Sequence, residues 1–323
     1  MIETIPYRAE LAEKWNAAVH GSRNGTFLFN RGFMDYHADR FEDASLIFMR
    51  KGAVLALLPQ SRHGDEWRSH GGLTYGGLVL ADEADMADMM EIHALIAERA
   101  VAQAITRQRV ALVPHIYHRA PCEEERYALH RAGARQTGCD VDSVIALGQP
   151  LAMATMRARA IRKARRHELV VEKACPIAEF HTMLTDNLVR RHAAAPIHSA
   201  QEMALLQGRF PARIACWGAR DPTGALLAGI WLFDTGRCAH AQYIASTEEG
   251  RAKGAVDLIF AEAIAYFTGR ATFFSFGISN DRAGAGDYDL NEGLIRQKTS
   301  FGARAIVYET FERSFTQETP DVG

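Results

Sequence analysis

The sequence predicts an α/β fold of mixed sheets, organised as two similarly built halves. Three observations lead there. The chain has 323 residues, more than one average domain holds. Apolar strand-like runs alternate with segments of 3.6-residue periodicity. Residues 45–113 run hairpin, glycine-bearing strand, helix, strand, and residues 213–276 run hairpin, strand, glycine loop, helix, strand. That is a repeat of architecture without an evident repeat of sequence.

Composition narrows the class. Hydrophobic residues make up 48% of the chain, enough for packed cores. A net charge of −2 gives no overall pull toward nucleic acid or anionic membrane. The cysteines, Cys122, Cys139, Cys175, Cys216 and Cys238, form no C-x-x-C pair. They read as reduced thiols of a cytoplasmic protein, not as a disulfide framework or a metal site. The start, Met1-Ile2-Glu3-Thr4-Ile5-Pro6, lacks the basic and apolar regions of a signal peptide, so none is expected. Apolar runs such as 53–58 are too short to span a bilayer, so no membrane insertion is expected.

In the first half, Leu11, Trp15 and Val19 recur at four-residue steps, predicting a helix over 9–20. Asn24-Gly25 signals a turn, and Asn30 is placed to cap a helix through Arg40. Runs 45–50 and 53–58 predict a hairpin around Lys51-Gly52, ended by Pro59. The glycine pairs Gly71-Gly72 and Gly76-Gly77 within 66–80 signal bulges or close backbone approach. Two readings fit them: the floor of a substrate cleft, with His70 and Tyr75 offering hydrogen bonds, or a twisted hairpin whose glycines permit the bend. A long helix over 85–107, a strand at 110–114, a short helix at 123–131 and a strand at 141–147 follow. Gly148-Gln149-Pro150 marks the expected boundary, with domains at 1–148 and 149–323.

The second half opens on the most basic stretch, with Arg157, Arg159, Arg162, Lys163, Arg165 and Arg166 around an apolar stripe that includes Ile161 and Ala164. It reads either as a solvated covering helix or as a phosphate contact. A strand at 169–173, helices at 177–191 and 201–209 and a strand at 213–219 lead to two strands, 226–233 and 238–246, joined by a short turn containing Gly236. Next comes the loop Thr247-Glu248-Glu249-Gly250-Arg251-Ala252-Lys253-Gly254-Ala255. Val256, Ile259, Phe260, Ala263, Ile264 and Phe267 then form one apolar helical face, followed by a strand at 272–276 and Gly277. A strand end that hands over to a helix N-terminus is a natural anion site. Arg251 and Lys253 add positive charge there, whereas Asp82, Glu83 and Asp85 precede the equivalent helix of the first half. Charge therefore assigns an anionic ligand to the second half.

This order of strand, strand, Arg251-Ala252-Lys253-Gly254-Ala255, helix and strand resembles the pyrophosphate-binding core of the GNAT acyltransferase superfamily. Phe274-Ser275-Phe276-Gly277, Leu290 to Lys298 and Phe301-Gly302-Ala303-Arg304 resemble the C-terminal signature of its FemAB-like branch, whose members carry two GNAT-like domains in one chain. The resemblance covers most of the sequence, including residues 70–77. It implies tandem GNAT-like domains, with acceptor recognition in the first and acyl-donor binding in the second. It also implies acyl-CoA (acetyl-CoA) as co-substrate, against Ile244, Ala245, Gly250, Arg251, Lys253, Gly254 and Ala255. In such sites the strand before the loop supplies N–H groups to the thioester carbonyl, here Tyr243-Ile244-Ala245.

Acyl transfer to an amine also needs a proton acceptor. Tyr243 and His240 are candidate proton carriers, and Glu292 and Asp287 are candidate bases. Lys298 could pair with a carboxylate or a substrate phosphate. The acceptor, an amine of a small metabolite such as an amino sugar, is expected between the halves near Tyr75, Asn280, Asn291 and Glu292. Other mechanisms lack their motifs: G-x-S-x-G, H-E-x-x-H, G-x-x-x-x-G-K-[ST] and G-x-G-x-x-G are all absent, and no metal is expected. Two rival functions keep the fold. One is an aminoacyl-tRNA-dependent Fem-type transferase acting on a cell-wall precursor, which the basic stretch at 157–166 supports. The other is a non-catalytic GNAT-fold binding protein, which Glu248-Glu249 beside the anion site supports. The oligomeric state is not legible.

Overall fold

The computed structural model describes residues 1–69, 71–192, 195–281 and 289–315. Two of the expected site residues, His70 and Asp287, lie outside these. The chain divides into two compact units, one of 1–140 with the segment from Val307, the other Val141–Ile306. The boundary expected at 148/149 is therefore eight residues earlier, inside a strand. The segment from Val307, which the sequence places in the second domain, groups with the first unit.

In the first unit, strands Glu3–Pro6 (β1), Leu46–Arg50 (β2), Ala53–Leu58 (β3) and a short later strand form a sheet. The β2–β3 hairpin turns where expected, with Lys51 and Gly52 at φ 52° and 82°. Positive φ at both central residues matches the twist of the flanking strands. Helix Met86–Ala102 (α1) buries Met89, Ile92 and Ile96 in a core with Leu46, Phe48 and Leu55. Its N-terminus carries a reciprocal Asp85–Asp88 capping box. Asn30 does cap a helix, accepting from Gly32 N–H at 2.8 Å, but α-helical geometry lasts only over Arg31–Met34.

The twin glycines do not lie in one strand. Val79–Leu80 joins the sheet of β3, while Glu66–Ser69 pairs with a different strand. Gly72 and Gly77 take φ 84° and 80°, and a Cβ there would meet His37 Nε2 at 2.7 Å and Glu125 Oε2 at 2.4 Å. Close approach is what these glycines allow, but the approaching groups belong to the protein.

In the second unit, Arg135–Ala146 (β4) contributes its last residues. The other strands are Val170–Glu172 (β5), Ile214–Arg220 (β6), Leu226–Asp234 (β7), Cys238–Ser246 (β8) and Phe273–Ile278 (β9). Their order is β5-β6-β7-β8-β9-β4, antiparallel except for the β8–β9 pair. Helix Ala255–Phe267 packs Leu258, Ile259, Phe260, Ala263 and Phe267 onto this sheet, close to the apolar face read from the sequence. Among the described residues no helix is long and apolar enough to cross a membrane. No group of acidic, His or Cys side chains there could hold a metal ion.

Candidate active site

The site begins where two strands part. β8 and β9 pair in parallel over three positions only, ending at His240 opposite Ser275. β8 continues to Ser246 along β7, but with one extra residue: Trp231 faces Tyr243 and Leu232 faces Ala241, leaving Gln242 as a bulge. A bulge bends the strand and sharpens its twist, which carries β8 away from β9. Thr247 N–H donates to Leu227 O of β7 at 2.9 Å. Backbone groups alternate along an antiparallel strand, so Ala245 and Tyr243 also face β7 while Ile244 turns its N–H into the gap.

A cavity of about 450 Å³ occupies that gap. Its apolar wall comes from Leu184 and Leu188 of helix Ile177–His192, from Val256 and Phe260, and from Phe276 and Phe301. Its polar wall holds Arg157, Arg251, Asp257 and Lys298. Arg157, on helix Thr155–Arg166, donates to Asp257 at 2.6 Å and to Ser300 Oγ at 2.7 Å. Arg251 Nη1 donates to Ser246 O at 2.7 Å, closing the strand end onto the loop. Lys298, on helix Glu292–Thr299, donates to Gly277 O, Ile278 O and Ser279 Oγ at 2.6, 2.7 and 2.9 Å. Burial, which disfavours the ammonium, pulls its pKa down to about 8, and the charge of Asp142 acts the other way.

The loop itself differs from expectation. Residues Glu248–Lys253 form a helical turn capped by Thr247, whose Oγ1 accepts Gly250 N–H at 2.9 Å. A Cβ at Gly250 would lie 2.1 Å from Leu227 O, and one at Gly254 would lie 2.6 Å from Ala160 O. Both glycines make room for neighbouring backbone. Ala255 is wholly buried, and Lys253 pairs with Glu249 at 2.6 Å. Of the seven expected donor-binding residues, Ile244, Ala245 and Arg251 line the cavity, and Gly250, Lys253, Gly254 and Ala255 do not. The first turn of helix Ala255–Phe267 still opens on it through Val256 and Asp257.

The remaining expected residues are scattered. Tyr243 stacks on Trp231, and its hydroxyl meets His198 Nδ1 at 2.8 Å, outside the cavity wall. Burial pushes its pKa up to about 12, so it is no base near neutral pH. Glu292 pairs with Arg296 at 3.0 Å with its side chain 81% exposed, and lines a separate surface recess. Asn280 Oδ1 accepts Val141 N–H, and Asn291 caps the helix that carries Lys298. Tyr75 is buried in the first unit, its hydroxyl donating to Thr26. Lys298 lines the cavity, as do Arg157, from the basic stretch that one reading makes a phosphate contact, and Asp257, which has no part in the sequence reading. One signal pointed to Arg157: it shares a helical face with Ile161 and Ala164, both buried. The other cations of that helix, Arg159, Arg162, Lys163, Arg165 and Arg166, are exposed, and Arg165 pairs with Glu262.

No family model matches the sequence, and no curated protein matches it. Solved structures match along nearly the whole chain. FemX aligns over 96% of both chains, with a TM-score of 0.67 at 12% identity. The C-terminal domain of a putative lysylphosphatidylglycerol synthetase from Agrobacterium fabrum aligns over 96% of this chain and 92% of its own, with a TM-score of 0.62 at 13% identity. A tandem GNAT protein from the clavulanic acid biosynthesis pathway aligns over 98% and 99%, with a TM-score of 0.52 at 13% identity. At such identities the likeness is one of fold.

Proposed function

We propose, from a fold that is the tandem GNAT-like fold of the FemAB-like branch, that this protein is an acyltransferase. In this reading it moves an acyl group from acyl-CoA to an amine of a small metabolite such as an amino sugar. The observation that carries the reading is the parting of two strands, which by strand alternation turns the Ile244 N–H into the gap, with a cavity of mixed apolar and charged lining beside it.

The chemistry follows from that geometry. The thioester carbonyl oxygen accepts from Ile244 N–H, which stabilises the negative charge that grows there during attack. The amine nitrogen bonds to the acyl carbon, the carbon–sulfur bond breaks, and the thiolate leaves. The amine loses a proton and the thiolate takes one up. Lys298, with a pKa near 8, is the titratable group on the wall suited to exchange protons near neutral pH. The residues present fit a diphosphate in part. The first-turn N–H groups at Val256 and Asp257 and the Arg157 and Arg251 guanidiniums would hold it, while Asp257 already neutralises one of these cations.

A second reading keeps the reaction but takes an aminoacyl-tRNA donor. The exposed Arg159, Arg162, Lys163 and Arg166 favour it. Calorimetric titration with acetyl-CoA and longer acyl-CoAs tests the first reading. The expected result is micromolar binding that Arg251→Glu weakens at least about tenfold, the loss of one charge-assisted contact. Unchanged affinity in Arg251→Glu would remove the donor from this cavity. No heat with any acyl-CoA, together with a gel shift by charged tRNA, would establish the second reading instead.

A further inference from the structure

Behind the cavity wall, three neighbouring strands carry a buried polar chain. Asp142 of β4, Ser275 of β9 and His240 of β8 are each at most 7% exposed. Ser275 Oγ donates to Asp142 Oδ2 at 2.5 Å. A carboxylate only accepts, so the single Ser275 proton is committed to it. Ser275 Oγ must then accept from its other two partners, His240 Nδ1–H at 2.7 Å and Gly277 N–H at 3.2 Å. That assigns the His240 tautomer. Gly277, at φ 78°, turns its carbonyl to Lys298 Nζ, 2.6 Å away. The chain is thus continuous from Asp142 through Ser275 and Gly277 to the Lys298 ammonium.

Among the described residues, charges around Lys298 are few. Burial and the Lys298 charge hold His240 down at about 4, so it is neutral near pH 7. On the cavity wall, Arg157 and Asp257 offset one another, and Arg251 adds one positive charge. On its own helix, Glu292 and Arg296 pair with each other in solvent. Among the described residues, Asp142 is therefore the negative group that acts on Lys298 from inside the sheet. A buried carboxylate is expensive to desolvate, and an apolar residue of similar size would stabilise a strand as well or better. Its presence here, joined to a cavity lysine, calls for a role in that lysine's charge.

We propose that Asp142, Ser275 and His240 are positioning residues for Lys298, holding the turn at 277–279 that carries it and setting the pH at which its amine gives up a proton. The proposal rests on the reading of this cavity as the transfer site, and its test is independent of any donor. The full-length protein is labelled over a pH series with a small amine-reactive acetylating reagent, and modification of Lys298 is followed by peptide mass spectrometry. The parent should show a midpoint near 8. Asp142→Asn keeps the side chain's shape and removes its charge, so the midpoint should fall by about one pH unit or more. Ser275→Ala, which cuts the chain while leaving the carboxylate, should also move it. Ser275→Thr, which keeps the hydroxyl, should restore it.

Circular dichroism establishes that each variant is folded, and if Asp142→Asn does not fold, the Ser275 pair decides. An unmoved midpoint in the folded variants would overturn the proposal and leave the chain a packing feature. Once a donor is known, the acid limb of kcat should move with the labelling midpoint while donor KM stays unchanged. A shifted midpoint in a protein that transfers nothing would sustain the positioning role and reject the function. Transfer with an unshifted midpoint would do the reverse.

Discussion

Glu125 offers a test of the first unit's core that depends on one buried proton. It lies on helix Glu124–Arg131 and is 8% exposed as a residue. Its Oε2 accepts Leu78 N–H at 2.7 Å, directly beneath Gly77. Burial raises its pKa from 4.5 to about 8, and the Leu78 hydrogen bond offsets this only in part. The folded value lies above the unfolded one, so folding favours the protonated acid. The acid's contribution to stability is fully present below pH 4.5, falls as pH rises, and is exhausted above about 8. Between pH 5 and pH 8 the loss is on the order of 3 kcal/mol, at about 1.4 kcal/mol per pH unit of differential protonation. Glu125→Gln keeps a carbonyl oxygen for Leu78 N–H and carries no charge at any pH. Urea unfolding of both proteins at the two pH values isolates this group, because all other titrations cancel in the difference. The stability gap in favour of the Gln variant should widen by on the order of 3 kcal/mol from pH 5 to pH 8. A gap that stays constant would show that Glu125 ionises inside the fold without penalty, and the burial argument would fail.

Two further outcomes bear on the second unit. Gly254→Ala puts a Cβ at φ 80° and against Ala160 O, so it should lose about 1–2 kcal/mol in urea unfolding from the left-handed backbone alone; a neutral variant would mean that this glycine is not held by its neighbours. Arg157→Met strands Asp257, whose side chain is 11% exposed, and should cost about 3 kcal/mol. Adding Asp257→Leu should recover most of that loss, and a double-mutant cycle with no coupling would count against the pair.

Much of the fold is local and was legible. The hairpin at Lys51-Gly52, the Asn30 cap, the long capped helix after Asp85 and the apolar face from Val256 to Phe267 each follow from a few adjacent residues. The repeated architecture of the two halves was readable for the same reason. The site was less so. Ile244, Ala245, Arg251 and Lys298 were found from the strand–loop–helix order and from family resemblance, and all four line the cavity. Tyr75, Tyr243 and Glu292 are candidates by chemical type, and type does not reveal exposure: Tyr75 is buried with its hydroxyl on Thr26, Tyr243 is half-buried with its hydroxyl on His198, and Glu292 is in solvent.

The sequence by itself determined where strands turn, where helices start and which faces are apolar, because those preferences act over a few residues. It also placed glycines at 250 and 254, at the turn from strand to helix. Only the tertiary structure decided what comes close to each glycine, and it is protein backbone in both cases. Only the tertiary structure, likewise, joined Arg157 to Asp257 across 100 residues, Ser275 to His240 across 35 and Ser275 to Asp142 across 133. Pairings at such separations leave no local pattern. They arise when the sheet brings β8, β9 and β4 side by side, and burial then assigns each polar group its partner, because a polar group taken out of water must find one.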